Sequence, residues 1–256
     1  MTTLIDLSRL APAERLLWSY GVEDPSHIDL EAIAFDRGAL VIYRPLNGSE
    51  ARLVVHGDKA IISVNEGSLL GRRRFSLAHE IAHWMQDRKR GSFLCAKEDI
   101  GPQNAEAKSL EADANRYASQ LILPDYLVVP RIERKPVTLD TAEGLSKDFK
   151  SSLTAAAIKL AKRSTAPAVI VCHSQSNREW FSTSMAFPLD LFVAKELHQD
   201  TDGFAMLYSG NGGLSRPKRE PASRWLQGPD VFTMNVLSQS VRLPDNTVLS
   251  IAALVK

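Results

Sequence analysis

Two histidines separated by three residues are the feature that most constrains the fold of this chain. His79 and His83 lie within residues 72–86, where apolar side chains recur at the spacing of an amphipathic helix. On a helix, the two imidazoles are about 40° apart around the axis and one turn apart along it, so they can hold one ion. Glu80 projects about 100° from His79, near enough to reach a water molecule at that ion. We therefore predict a metal site with Glu80 as the catalytic base.

The alternative is a surface helix whose two histidines are solvated. Ala78 and Ala82 lie beside the histidines along the chain, and such small side chains let a neighbouring element pack closely. This favours the metal site over the solvated helix. Zinc is the predicted ion, because imidazole and carboxylate ligands suit it well, and manganese is the alternative.

A catalytic site of this kind needs a third protein ligand and an open coordination position. The next predicted helix, residues 105–123, offers Glu106, Glu111 and Asp113. Glu111 falls within the apolar arc of that helix, whereas Glu106 and Asp113 fall on its polar side. A lone acid on a buried face is costly unless it is paired or bound to metal. We therefore predict Glu111 as the third ligand, and the alternative is a solvated carboxylate at the edge of the face.

Asn115 lies one turn after Glu111 on the same helix face. A polar side chain in this position can orient a metal-binding imidazole through its second ring nitrogen. We predict that Asn115 orients His79 or His83.

Two separated segments resemble the signatures of the ImmA/IrrE metallopeptidases. Residues 74–83 read Arg-Phe-Ser-Leu-Ala-His-Glu-Ile-Ala-His, and residues 111–124 read Glu-Ala-Asp-Ala-Asn-Arg-Tyr-Ala-Ser-Gln-Leu-Ile-Leu-Pro. Residues 60–65, Ala-Ile-Ile-Ser-Val-Asn, are similar to the strand that precedes the active helix of that family. The resemblance covers residues 13–165, and Tyr117 departs from it where Phe is more usual.

The resemblance implies an α+β, zincin-type fold with the metal ligands and base named above. It further implies a bacterial regulatory protease that cleaves a helix-turn-helix repressor in a stress or mobile-element response. We also expect Ile61, Ile62 and Ser63 to contact the substrate, because their strand precedes the active helix and could pair with an extended segment. Two other classes stay open: a regulator that binds DNA or protein without turnover, and a zinc hydrolase acting on a small molecule.

The sequence divides into a metallopeptidase domain at 1–130, a helical segment at 131–165 and a C-terminal α/β domain at 166–256. Alternating patterns in the first domain predict a small antiparallel sheet of strands 39–44, 52–56 and 59–64. Helices are predicted at 13–20 and 30–37, and residues 93–104 are predicted to be irregular.

The helical segment has the length of a helix-turn-helix, with helices at 139–147 and 153–163. The second of these offers few polar side chains for reading DNA, so we predict that the segment packs on the peptidase domain, although direct DNA binding stays open.

The C-terminal domain is predicted as a mixed sheet with one helix, and its element order resembles a GAF-type sensor domain. The predicted elements, in chain order, are strands at 168–173 and 178–184, a helix at 189–199, a strand at 204–208, a loop at 209–230 and strands at 231–243 and 247–255.

Charge and cysteine content exclude several classes of function. The net charge of +1 predicts no strong attraction of the whole molecule to nucleic acid or to a membrane surface. Two cysteines, Cys95 and Cys172, do not form a disulfide framework, and no apolar stretch is long enough to span a bilayer. We therefore expect a cytoplasmic protein. Cys95 could reach the metal, although an unreactive thiol is the simpler expectation.

Overall fold

The chain forms two compact units in a computed structural model that describes residues 6–86, 93–96, 109–210 and 212–255. For residues 93–96 and for Ser109, the backbone alone is described. The first unit comprises Met1–Arg131 and Lys147–Ser152, and the second comprises Ile132–Ser146 and Leu153–Lys256. No helix among the described residues is both long and apolar enough to cross a membrane.

The predicted helices of the first unit are confirmed, with shifts at their ends. The helices are α1 (Pro12–Ser19), α2 (Leu30–Asp36), α3 (Leu70–Gln86), α4 (Ser109–Ile122) and α5 (Asp125–Ile132). Residues 105–108 of the predicted fourth helix lie outside the described residues. Helix α5 was not predicted, and it begins directly after Pro124, whose carbonyl accepts the first backbone hydrogen bonds of the new helix.

A four-stranded sheet completes the first unit. Its strands are β1 (Ala39–Arg44), β2 (Ser49–His56), β3 (Lys59–Asn65) and β4 (Phe93–Ala96), in the order β1-β3-β2-β4. Strand β2 runs antiparallel to β3 and β4, but β1 runs parallel to β3, so the prediction of an antiparallel sheet is wrong for this pair. The tight turn at Gly57 and Asp58 joins β2 to β3, and these two strands pair directly. Strand β1 pairs with the other edge of β3, so β3 lies between β1 and β2. Strand β4 lies in a segment that we predicted to be irregular.

Helix α3 packs on one face of this sheet and against α4. The side chains on the covered face are buried, and they include Ala51, Leu53, Ala60, Ile62 and Val64. The opposite side chains of the same strands alternate with these, as expected for a sheet that is covered on one face.

The second unit is built around a five-stranded antiparallel sheet. Its helices are α6 (Leu139–Phe149), which begins in this unit, α7 (Leu153–Arg163) and α8 (Asp202–Ser209). Its strands are β5 (Ala168–His173), β6 (Arg178–Thr183), β7 (Phe192–Val193), β8 (Lys218–Pro221), β9 (Leu226–Gln227), β10 (Asn235–Arg242) and β11 (Val248–Val255). The large sheet has the order β6-β5-β11-β10-β8, and β7 pairs separately with β9.

The predicted elements at 189–199 and 204–208 of the second unit are wrong. In addition, the predicted long loop at 209–230 contains β8 and β9. Residues 189–199 form no helix but include β7, and residues 204–208 belong to α8 instead of a strand. A short apolar run does not distinguish a buried helix from a strand by its period. The deciding signal precedes the run, where the side chain of Thr201 accepts a hydrogen bond from the backbone N–H of Phe204 and so caps α8.

The helical segment groups differently from the prediction. Most of residues 131–165 belongs to the second unit, because α7 packs on β5 and β6. No residue from Leu153 to Ala161 in α7 is exposed, which leaves little side-chain surface for reading a DNA groove. The division into functional domains, like the resemblance to a GAF-type domain, stays a prediction.

Candidate metal centre

The two histidines lie in the most deeply buried part of α3. Every residue from Ser76 to Trp84 is buried, and the side chains of His79 and His83 have no exposed surface. The alternative of a surface helix with solvated histidines is therefore wrong. Two imidazoles removed from water need polar partners, because an unpaired buried polar group is costly.

Helix α4 brings Glu111 to both imidazoles. The Glu111 Oε2 atom lies 3.1 Å from His79 Nε2 and 3.4 Å from His83 Nε2. The two Nε2 atoms are themselves 3.1 Å apart, with the rings nearly perpendicular at 79°. Three potential ligand atoms from two helices therefore converge on one point, and their role as metal ligands stays a prediction.

These three atoms lie close enough together to share one positively charged partner. The side-chain oxygen of Asn115 lies 3.1 Å from His79 Nδ1, so the Nδ1 side of the ring has its own partner and Nε2 is left to face Glu111 and His83. The Glu111 carboxylate oxygen, which can only accept, faces the Nε2 atoms of both rings. One proton can bridge Glu111 and His79, but it leaves His83 Nε2 facing the same atoms. A single cation at the centre would be a partner for all three atoms, because each can donate an electron pair to it.

The dimensions of the cluster fit a small divalent ion. An ion held about 2.0–2.1 Å from tetrahedral nitrogen and oxygen donors separates those donors by about 3.3 Å. The three observed separations, 3.1, 3.1 and 3.4 Å, bracket this value. Two imidazoles and one carboxylate are a donor set that suits zinc, and three ligands leave a fourth position free.

Glu111 remains partly accessible, with 20% of its side chain exposed. The hydrogen bond to His79 lowers the pKa of the Glu111 carboxyl, and the positive potential of the neighbouring imidazoles acts in the same direction against the opposing effect of burial. The carboxylate is thus held in the ionised form that a metal requires. Asp113 instead pairs with Arg116, and Glu106 lies outside the described residues.

Glu80 adjoins the cluster in the sequence, and its side chain is buried with no exposed surface. Tyr117 on α4 is also buried, and desolvation raises the pKa of its phenol, which agrees with the expectation that it belongs to the core. Cys95 lies in β4, and its side chain is outside the described part of the structure.

The predicted role of β3 in strand addition is wrong. Strand β3 is hydrogen-bonded to β1 on one side and to β2 on the other, so it has no free edge for a substrate. Ile62 and Ser63 are buried, and Ile61 is partly exposed on the sheet face. The sequence does not show that β1 pairs with the edge of β3 opposite β2, because the residue pattern of a strand does not specify which strand it pairs with.

Comparisons with known proteins give a family match and a similar fold. Residues 34–161, half of the chain, match the family model described as the IrrE N-terminal-like domain, Peptidase M78. One solved structure with a similar fold is that of a Mycobacterium tuberculosis transcriptional regulator, with a TM-score of 0.64 and 14% sequence identity. The match covers 94% of this chain and 75% of that chain. At this level of identity the likeness is one of fold. No curated protein matches the chain.

Proposed function

Because the chain belongs to the Peptidase M78 family, through its IrrE N-terminal-like domain, we propose that it is a zinc-dependent endopeptidase. The observation that carries the proposal is the convergence of His79, His83 and Glu111 on one point inside the first unit. A structural metal site is normally closed by four protein ligands, whereas three ligands leave a position for chemistry.

Glu80 is the proposed general base. It is held on α3 next to His79, so any ion held by the two imidazoles lies within one helical turn of its position. When bound, zinc supplies Lewis acidity, which makes a water molecule acidic enough to react near neutral pH. Glu80 would accept a proton from that water as the oxygen attacks the peptide carbonyl carbon. It would then deliver the proton to the amine as the carbon–nitrogen bond breaks.

Burial of Glu80 suits it to this role. A carboxylate removed from bulk water loses competing hydrogen bonds, and its orientation is fixed by the surrounding helix packing. A positioned base of this kind typically contributes about 10²–10⁴-fold to the rate. A site that only bound protein or DNA would have no use for an acid in this place.

The proposed substrate is a helix-turn-helix transcriptional repressor in the bacterial cytoplasm. This rests on the resemblance of the motifs to the ImmA/IrrE proteins. It is compatible with a structural neighbour that is named a transcriptional regulator. That name also supports the second candidate, a regulator that keeps the metal-bound fold and binds DNA or protein without turnover.

Incubation with the repressor encoded beside this chain tests the proposal. Purified full-length protein loaded with zinc, and its Glu80→Gln variant, are each mixed with the repressor, and the products are analysed by mass spectrometry. We expect one or a few new termini with the unaltered protein and at least a 100-fold slower appearance with Glu80→Gln. Binding of intact repressor by both forms, without cleavage by either, would instead support the non-catalytic regulator.

A further inference from the structure

The outer face of the four-stranded sheet, opposite α3, carries a row of exposed aliphatic side chains. Leu40 on β1 is in register with Ile61 on β3, which is in register with Val54 on β2. Their exposed fractions are 53%, 43% and 43%. Single exposed aliphatic residues are common, but three in register on adjacent strands form a continuous apolar strip.

Basic side chains flank this strip on the same face. By strand alternation, Lys59 precedes Ile61 by two positions, Arg52 precedes Val54 by two, and Arg44 follows Leu40 by four. All three are exposed, and none makes an ion pair with another residue in the described part of the chain.

The strands of this face carry no exposed acid. Glu50 is the one acidic residue in β1, β2 and β3, and it is 5% exposed. Its carboxylate accepts a hydrogen bond from Ser68 at 2.6 Å and pairs with Arg72 at 3.8 Å. The face is therefore an apolar centre with a basic border, which is the arrangement of a protein-binding surface that requires acidic flanks on its partner.

We propose that this outer sheet face binds an acidic amphipathic helix of a partner protein. Adjacent strands are about 4.8 Å apart, so the strip extends about 10 Å across the three strands, which is about two turns of a helix lying along it. An apolar stripe on that helix would cover Leu40, Ile61 and Val54. Carboxylates beside the stripe would meet Arg44, Arg52 and Lys59.

Two other occupants fit this face less well. A second copy of the chain that docked through the same face would bring like charges together, and β1, β2 and β3 carry no exposed acid that would offset them. Single-stranded nucleic acid would require aromatic side chains for base stacking, and Leu40, Ile61 and Val54 provide none. An acidic helix satisfies both the apolar strip and the basic border.

Fluorescence anisotropy with the full-length protein tests this binding. The probe is a fluorescein-labelled 18-residue peptide with leucines on one helical face and glutamates beside them. The matched control replaces each glutamate with lysine. We expect saturable binding of the glutamate peptide, weakened by rising salt, and at least tenfold weaker binding of the lysine peptide.

Two double variants connect this binding to the face. Leu40→Thr/Val54→Thr should lower the affinity for the glutamate peptide roughly tenfold. Arg52→Glu/Lys59→Glu should reverse the preference, so that the lysine peptide binds more tightly than the glutamate peptide. Lys135→Glu/Lys162→Glu, a charge reversal elsewhere on the surface, should leave both affinities unchanged. Coincident thermal unfolding curves would show that the variants are folded.

Other results would overturn the proposal. These are absence of saturable binding, equal affinity for both peptides, or insensitivity to both face variants. Displacement of the peptide by a single-stranded oligonucleotide that requires the same residues would assign the face to nucleic acid instead. The proposal does not depend on peptidase activity, because Glu80→Gln protein is expected to bind the peptide with unchanged affinity.

Discussion

The Nδ1 atom of His79 lies 3.1 Å from the side-chain oxygen of Asn115, on the neighbouring helix α4. This contact holds the Nδ1 side of the ring at Asn115, and the Nε2 atom on the other side faces Glu111 and His83. Helix α4 thus carries both the proposed ligand Glu111 and the side chain of Asn115, which contacts the proposed ligand His79 on α3. Glu111 and Asn115 are one turn apart on α4, so the placement of this one helix against α3 determines both contacts.

Replacing Asn115 should weaken metal binding without unfolding the protein. Asn115→Ala removes the acceptor for His79 Nδ1, and loss of such an orienting group typically lowers metal affinity about 10–100-fold. Competition with a chromogenic zinc chelator measures the affinity. Asn115→Asp, which keeps an acceptor in place, should retain most of it. Equal affinity of Asn115→Ala and the unaltered protein would contradict the orienting role.

Removing a proposed ligand should abolish stoichiometric zinc binding. His83→Ala and Glu111→Gln each leave two of the three converging donors, and we expect less than about one tenth of the zinc to remain after gel filtration. Elemental mass spectrometry gives the zinc content per chain. Asp113→Asn is the matched control on α4, since Asp113 pairs with Arg116 and not with the histidines. Full zinc content in Glu111→Gln would exclude Glu111 as a ligand.

Gly71 should not tolerate a side chain. A Cβ atom there would lie 2.5 Å from the backbone nitrogen of Ser152 and 2.7 Å from the carbonyl carbon of Ser151. We expect Gly71→Ala to lower the free energy of unfolding by about 1–3 kcal/mol. Gly144→Ala is the control, because nothing lies within 4 Å of its Cβ and alanine favours a helix by about 0.5–1 kcal/mol. Urea unfolding distinguishes the opposite signs, and a stable Gly71→Ala protein would contradict the close approach.

His173 should make the second unit sensitive to acid. Its imidazole is 3% exposed, and neither ring nitrogen has a hydrogen-bond partner among the residues that the structure describes. Burial lowers the pKa of His173 from 6.5 to about 4, with the nearby Arg178 acting in the same direction. Between pH 6.5 and pH 4, His173 is therefore protonated in the unfolded chain but neutral in the folded chain. Stability is lost as the pH falls from 6.5 toward 4, by up to about 3 kcal/mol.

His173→Leu should remove this part of the pH dependence. Urea unfolding at several values between pH 7 and pH 4, monitored by tryptophan fluorescence, gives the slope of stability against pH. The exposed His27→Leu is the matched control and should keep the slope of the unaltered protein. An identical slope in His173→Leu would mean that this imidazole is not kept neutral by the fold.

Glu220 should be important for the stability of the second unit. Its carboxylate accepts hydrogen bonds from Trp225 Nε1 at 2.7 Å, from Arg224 at 2.9 Å and from the Ser238 hydroxyl. Glu220→Gln keeps the shape but places amide hydrogens against donors, so we expect a loss of about 1–3 kcal/mol in the free energy of unfolding. Glu196→Gln, at an exposed position, should change it by less than about 0.5 kcal/mol. Equal stabilities of the two variants would contradict this.

The sequence by itself determined the helices that carry the candidate site. The spacing of His79 and His83 places them on one face of a helix whatever surrounds it, because helical geometry is local. The position of Glu111 on the apolar side of α4 likewise follows from the 100° rotation per residue. These inferences need only neighbours in sequence, so they could be made before any contact was known.

Tertiary structure decided what depends on partners distant in sequence. Strand patterns show which residues alternate, but not that β3 lies between β1 and β2, and this pairing removed the free edge on which strand addition depended. The apolar run in α8 has no distinguishing period, and the sequence pattern does not show that this helix packs against β10 and β11. The exposed row of Leu40, Ile61 and Val54 also exists only through pairing in register, since it joins residues from three strands.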